Sequence, residues 1–184
     1  MEVKPIIAVG CLFAALALFI AGTATGATVK TFSGGYKVEY TLWAACVKVP
    51  GGSRQCVDPL PGMCKATADT MRAARAFDIL SIITAGVCAI LAALAAFVPA
   101  AAAVARVPWG LVGGAAGAIF SVIAWALTVS LYTVGQCGSD PISKTKVMDL
   151  GPNVPLYVVG CFLCIVAAVV SFLNRGAAKT ADAV

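Results

Sequence analysis

The residues of this chain best suited to chemistry are its eight cysteines. Cys161 and Cys164 form a C-x-x-C pair, the spacing of dithiol–disulfide redox enzymes. The sequence contains no histidine. Its absence excludes Ser/His/Asp and Cys/His nucleophiles, His-based zinc sites and two-His-carboxylate iron sites. We therefore predict no metal, cofactor or catalytic residue, with a membrane thiol–disulfide oxidoreductase as a minor alternative.

The elements that carry these cysteines follow from the distribution of charge. Only 11% of the 184 residues are charged and 61% are hydrophobic, well outside the range of soluble domains. Four uncharged runs of 25, 27, 33 and 25 residues separate the charges, and about 20 apolar residues suffice to cross a bilayer. We predict one membrane domain, residues 1–184, with spans at about 5–26, 77–98, 109–133 and 154–174.

The C-x-x-C pair falls about seven to ten residues inside the fourth span, away from the helix N-terminus that would lower a thiol pKa. Packing as small hydrophobic side chains is the favoured interpretation. The spans contain no ionisable residue at mid-depth, so an ion-coupled transporter is not supported. Nor does the chain have a Lys/Arg stripe with interleaved aromatics, which argues against nucleic-acid binding despite the net charge of +5.

Four cysteines lie in the two loops on one side of the bundle, residues 27–76 and 134–153: Cys46, Cys56, Cys64 and Cys137. This segregation predicts two disulfides on an oxidising side, and therefore a plasma-membrane protein with both termini, loop 99–108 and tail 175–184 in the cytosol. The count of Lys and Arg near the spans favours the opposite orientation, with the cysteines reduced in the cytosol. The first span also resembles a signal peptide, which we expect to be retained.

The first loop has the pattern of a small antiparallel sheet. Apolar and polar residues alternate over residues 36–42, the period of a half-buried strand, and residues 28–32, 46–49 and 54–58 are further strand candidates. Cys46 and Cys56 are symmetric about the turn at Gly51, so a hairpin places them opposite each other within disulfide range. By elimination Cys64 pairs with Cys137. Thr67 or Asp69 is expected to cap the helix that leads into the second span.

Several residues resemble the signature of the claudin superfamily, which includes peripheral myelin protein and the lens fibre membrane proteins. The matching positions are Leu42, Trp43, Cys46, Cys56 and Arg75. The run from Tyr40 to Trp43 and the first five residues are closer to the amastin surface proteins of kinetoplastid protists, although Glu39 stands where amastins place a cysteine.

The resemblance implies a left-handed four-helix transmembrane bundle with a small extracellular antiparallel β-sheet, formed mainly by the first loop. It implies a structural or adhesive role at the cell surface. Trp43 would anchor the sheet on the bundle, the alternative being an ordinary core aromatic of the loop. We expect lateral self-association into oligomers or strands, with membrane lipids around the bundle. The alternative function is an accessory subunit of a larger membrane or channel complex, with another membrane protein as partner.

Three further patterns predict packing or contacts. Small residues that let helices approach closely recur in the third span at Gly110, Gly113, Gly114 and Gly117. They favour packing within the bundle over a dimer interface. Arg75 and Asp78 are spaced to pair on one helix. The C-terminal residues 182–184 fit a PDZ-type domain weakly, and a disordered ten-residue tail is the preferred interpretation.

Overall fold

Four helices form the body of the protein in a computed structural model that describes residues 3–26, 28–31, 35–98, 107–134, 137 and 149–181. They are α1 (Val3–Ala24), α2 (Lys65–Phe97), α3 (Trp109–Thr133) and α4 (Asn153–Ala181). Each contains a stretch long and apolar enough to cross a membrane. The predicted helical membrane class is confirmed.

The helices form a ring in which α1 packs on α2, α2 on α3, α3 on α4 and α4 on α1. Their shared interior is built mainly from alanine and cysteine with a few large side chains, such as Leu12, Phe19 and Tyr157. The rings of Phe19 and Tyr157 stack with their centroids 5.5 Å apart. Small side chains let the helices approach closely, and this contact replaces the hydrophobic effect as the source of stability within lipid.

A five-stranded antiparallel sheet covers one end of the bundle, in the order β4-β3-β2-β1-β5. Its strands are β1 (Thr28–Thr31), β2 (Lys37–Tyr40), β3 (Ala45–Lys48), β4 (Arg54–Val57) and β5 (Asp149–Leu150). The first four come from the first loop, as predicted. β5 belongs to the second loop and has only two residues, too few for the alternation that reveals strands in a sequence.

The two faces of this sheet differ in chemistry. Because side chains alternate along a strand and face their partners across the register, the pairings of β2, β3 and β4 define two sets. We call one the outer face; it consists of Val38, Tyr40, Ala45, Val47, Gln55 and Val57. The other is the inner face, whose Cys46, Arg54 and Cys56 line a groove against α1 and α2; it consists of Lys37, Glu39, Cys46, Lys48, Arg54 and Cys56.

Two boundaries differ from the sequence prediction. α2 begins at Lys65 with Cys64 as its N-cap, not after Thr67 or Asp69, because the extended Cys64 is held by a disulfide to Cys137. α4 continues to Ala181, through most of the segment predicted to be disordered. Residues 99–106, 138–148 and 182–184, and with them most of the short loop, most of the second loop and the proposed PDZ ligand, lie outside the described part of the chain.

Candidate functional site

A tight turn joins β2 to β3 at the sheet–bundle junction. The Thr41 hydroxyl accepts hydrogen bonds from the backbone N–H groups of Trp43 and Ala44, at 3.1 and 2.8 Å. The Thr41 N–H donates to the Ala44 carbonyl at 2.8 Å. Leu42 is consequently buried while Trp43 stays exposed. The apolar alternation predicted through residue 42 therefore ends at Tyr40, because the turn redirects the chain.

Arg75 of α2 ties this turn to the bundle. Its Nε donates to the Leu42 carbonyl at 2.8 Å, and its Nη2 donates to the Asp58 carboxylate at 3.0 Å. The guanidinium carbon lies 5.2 Å from the centre of the Trp43 ring, within cation–π range. Hydrogen bonds from Arg75 and from the Leu60 N–H hold the pKa of Asp58 below its usual range. The predicted pairing of Arg75 with Asp78 is wrong, since Arg75 reaches the sheet instead.

Asp78, one turn further along α2, is fully buried. Both of its carboxylate oxygens lie 3.1 Å from the Thr23 hydroxyl of α1, and it also interacts with the indole N–H of Trp43. The Thr23 hydroxyl lies 3.2 Å from the Tyr157 hydroxyl of α4. Asn153, the first residue of α4, donates to a backbone carbonyl near the end of α1 at 2.6 Å.

This polar cluster connects three helices and the Trp43 turn, and no sequence motif predicted it. The sequence gives one indication of it: Asp78 immediately precedes a run of 27 uncharged residues, a position expected at the boundary of a membrane span. None of the ion pairs among the described residues involves Asp78. A buried carboxylate without a cation depends on its hydrogen-bond donors, so this cluster fixes how the sheet sits on the bundle.

The structure joins Cys46 to Cys56 across β3 and β4 and Cys64 to Cys137 between the loops. The other four cysteines are free thiols.

Cys161 and Cys164 are both buried among core residues, and the Cys161 thiol faces the Ala118 carbonyl at 3.8 Å. Cys161 lies eight residues from the start of α4, about 12 Å down the helix. The pair therefore packs inside the bundle. Within the described residues, no group of three potential ligands could hold a metal.

The four glycines of α3 are all buried against neighbouring helices. A Cβ on Gly113 would meet Cys88 of α2, and a Cβ on Gly114 would lie 2.7 Å from the Ala168 backbone nitrogen of α4. Gly117 faces the Cys164 sulfur, and Gly110 faces Ser171. This glycine face is therefore used for packing within the bundle.

The outer face of the sheet leaves apolar side chains uncovered. Val57 is 66% exposed and Val47 is 40% exposed, and Tyr40 beside them is exposed as well. β4 is an edge strand of the sheet, and all four of its residues are exposed. A valine-rich face beside an open strand edge is a surface that soluble parts of proteins normally cover or protect with charge.

Comparison with known proteins gives one family match. The model of a family described as Amastin surface glycoprotein matches residues 6–171, from the first helix through nearly all of the last span. No curated protein matches the chain.

Proposed function

Since the chain belongs to the amastin surface glycoproteins, we propose that it is a structural, adhesive protein of the plasma membrane that self-associates laterally. It is a multi-pass membrane protein with four candidate spans. In this proposal the sheet lies outside the cell and both termini lie in the cytosol. The observation that carries self-association is the uncovered apolar outer face beside the open edge of β4.

Two properties of this surface suit contact between copies. Val47 and Val57 supply apolar area, and burying such area on association is the main favourable term in protein contacts. On its outer edge β4 pairs with no strand of the described residues, so its backbone groups there can extend the sheet by pairing with a strand of a second molecule. Because the α3 glycines are occupied inside the bundle, the sheet is the better candidate for the contact.

The cysteines support the orientation. Both disulfides join residues at the sheet end of the bundle, whereas Cys88, Cys161 and Cys164 are buried free thiols of the helices. Disulfides persist in oxidising compartments, which supports an extracellular sheet. The two disulfides outweigh the count of positive charges near the spans, because the positive-inside rule weakens for a folded loop that is translocated as a unit.

Cross-linking of the purified protein in mild detergent tests self-association. We expect homo-oligomers of the wild type and a marked loss of them in Val57→Lys, which adds a charge to the edge strand. Val134→Lys is the matched control, because Val134 is also exposed but follows α3 outside the sheet. Equal oligomer yields for both variants would refute the sheet contact. A stoichiometric unrelated partner in place of homo-oligomers would favour the accessory-subunit alternative.

A further inference from the structure

A groove of about 490 Å³ opens between the inner face of the sheet, the sheet-side end of α1 and the middle of α2. Its helical wall includes Ile20 and Ala24 of α1 and Ile82 of α2, and its sheet wall includes Arg54 beside the Cys46–Cys56 disulfide. The volume falls within the range typical of small-molecule sites.

The position of the groove along the bundle limits what can enter it. Ile20 lies four residues from the end of α1, about 6 Å along the helix axis. Ile79 and Ile83, which lie within one turn of Ile82 on α2, are apolar and exposed, as expected of residues that contact acyl chains. The lower part of the groove is therefore open to the hydrocarbon of the adjacent leaflet, while its upper part lies at the level of the lipid headgroups.

The upper part is electropositive. Across β2, β3 and β4 the inner face carries Lys37, Lys48 and Arg54 against one carboxylate, Glu39, and Arg54 lines the groove itself. Glu39 accepts from Lys37 at 2.6 Å and from Arg54 at 2.9 Å, and these cations hold its pKa below the usual range. The bond from Arg54 to Glu39 uses the Nη2 nitrogen. A guanidinium has five N–H donors, arranged in a fork that matches phosphate oxygens.

We propose that this groove binds a phospholipid of the leaflet next to the sheet, with its phosphate on Arg54 and the start of an acyl chain along Ile20 and Ile82. Such a lipid supplies both chemistries that the groove presents, an anionic group at headgroup level and a hydrocarbon chain below it. The surrounding bilayer holds this ligand at high local concentration.

Native mass spectrometry of the detergent-purified protein, titrated with dioleoyl phosphatidylglycerol, tests the proposal. We expect one retained lipid per chain. Dioleoylglycerol has the same chains without the phosphate, so its apparent affinity should be at least about tenfold weaker, the loss expected for one charge-assisted hydrogen bond. Equal binding of the two lipids would overturn the assignment of the phosphate to Arg54.

Variants separate lipid recognition from sheet stability. Arg54→Gln should weaken phosphatidylglycerol binding about tenfold, whereas Arg72→Gln, an exposed arginine that pairs with Asp69 on α2, should leave it unchanged. Glu39→Gln removes the same ion pair but leaves the guanidinium, and should bind the lipid as tightly as wild type or more so. If Glu39→Gln weakens binding as much as Arg54→Gln, the pair is only structural and the proposal fails.

Filling the groove gives an independent measurement. Ala24→Trp places an indole in the groove and should abolish lipid retention, whereas Ala21→Trp, on an exposed position of α1 outside the lining, should not. Both variants are first checked for wild-type elution volume and intact disulfides. If Ala24→Trp retains the lipid, or instead reduces only cross-linking between copies, a phospholipid is not the occupant.

Discussion

Replacing Arg75 should loosen the sheet from the bundle without unfolding the helices. Arg75→Gln removes the hydrogen bond to the Leu42 carbonyl, the ion pair with Asp58 and the cation–π contact with Trp43. The side chain of Arg75 is only 14% exposed, so water replaces these contacts poorly. The Leu42 carbonyl, which lies in the buried turn, then loses its charged donor.

The magnitude follows from two of these contacts. A hydrogen bond from a charged donor contributes about 1.5–3 kcal/mol, and a cation–π contact at a partly exposed ring contributes about 0.5–1 kcal/mol. The ion pair with Asp58 is left out of the sum because that carboxylate is exposed and screened by solvent. We expect opening of the Trp43 turn to become easier by about 2–4 kcal/mol.

Hydrogen–deuterium exchange of the Trp43 and Ala44 amides is the direct assay, because both donate to the Thr41 hydroxyl in the closed turn. Each 1.4 kcal/mol is a factor of ten, so exchange should be roughly 30 to 700 times faster when local opening limits it. Arg72→Gln is the control, since its exposed pair with Asp69 contributes little. Exchange in Arg75→Gln no faster than in this control would refute the account of the junction.

Three further predictions concern the bundle, the sheet and the thiols. Gly114→Ala should lower the melting temperature in detergent because its Cβ meets the backbone of α4, whereas Gly10→Ala, where a Cβ meets nothing within 4 Å, should be neutral or stabilising. Asp58 and Glu39 have lowered pKa values, so their ionised forms stabilise the sheet when the pH is above the ordinary pKa of a carboxylate. This stabilisation should be lost as the pH falls below about 4, through the lowered pKa values. Proteolysis of the first loop should then increase. Denaturation without reductant should expose four thiols to maleimide, and before denaturation Cys11, the least buried, should react first. Eight reactive thiols would contradict the two disulfides.

The spans and the hairpin could be predicted from the sequence because each depends on one local rule. A run of 27 uncharged residues after Asp78 is long enough to cross the hydrocarbon core, and the symmetry of Cys46 and Cys56 about Gly51 sets the register of the hairpin. The contacts of Asp78 could not be predicted in the same way. They depend on Thr23, 55 residues away, and the Thr23 hydroxyl in turn meets Tyr157, 134 residues further along the chain. No pattern within one segment of the sequence indicates that these three side chains come together.

Which face of the sheet is covered is a second feature that could not be predicted from the sequence. Alternation in residues 36–42 indicates that one face is apolar, but it does not indicate what covers that face. The usual expectation is that apolar residues point to the core, yet here the Cys46–Cys56 disulfide and Arg54 lie towards the bundle, while Val47 and Val57 are on the opposite face. An alternating strand pattern therefore indicates that the two faces differ, but not which of them meets the bundle.

Because the two faces of the sheet differ, the proposed phospholipid contact and the proposed contact between copies can be tested separately by changing residues of a single strand. Arg54 and Val57 both belong to β4, and an odd spacing of three residues places them on opposite faces. Arg54→Gln should therefore reduce phospholipid retention and leave cross-linked oligomers unchanged, whereas Val57→Lys should do the reverse. If either variant lowers both measurements together, β4 acts as one unit, through the stability of the edge strand. The two faces would then not bind separately.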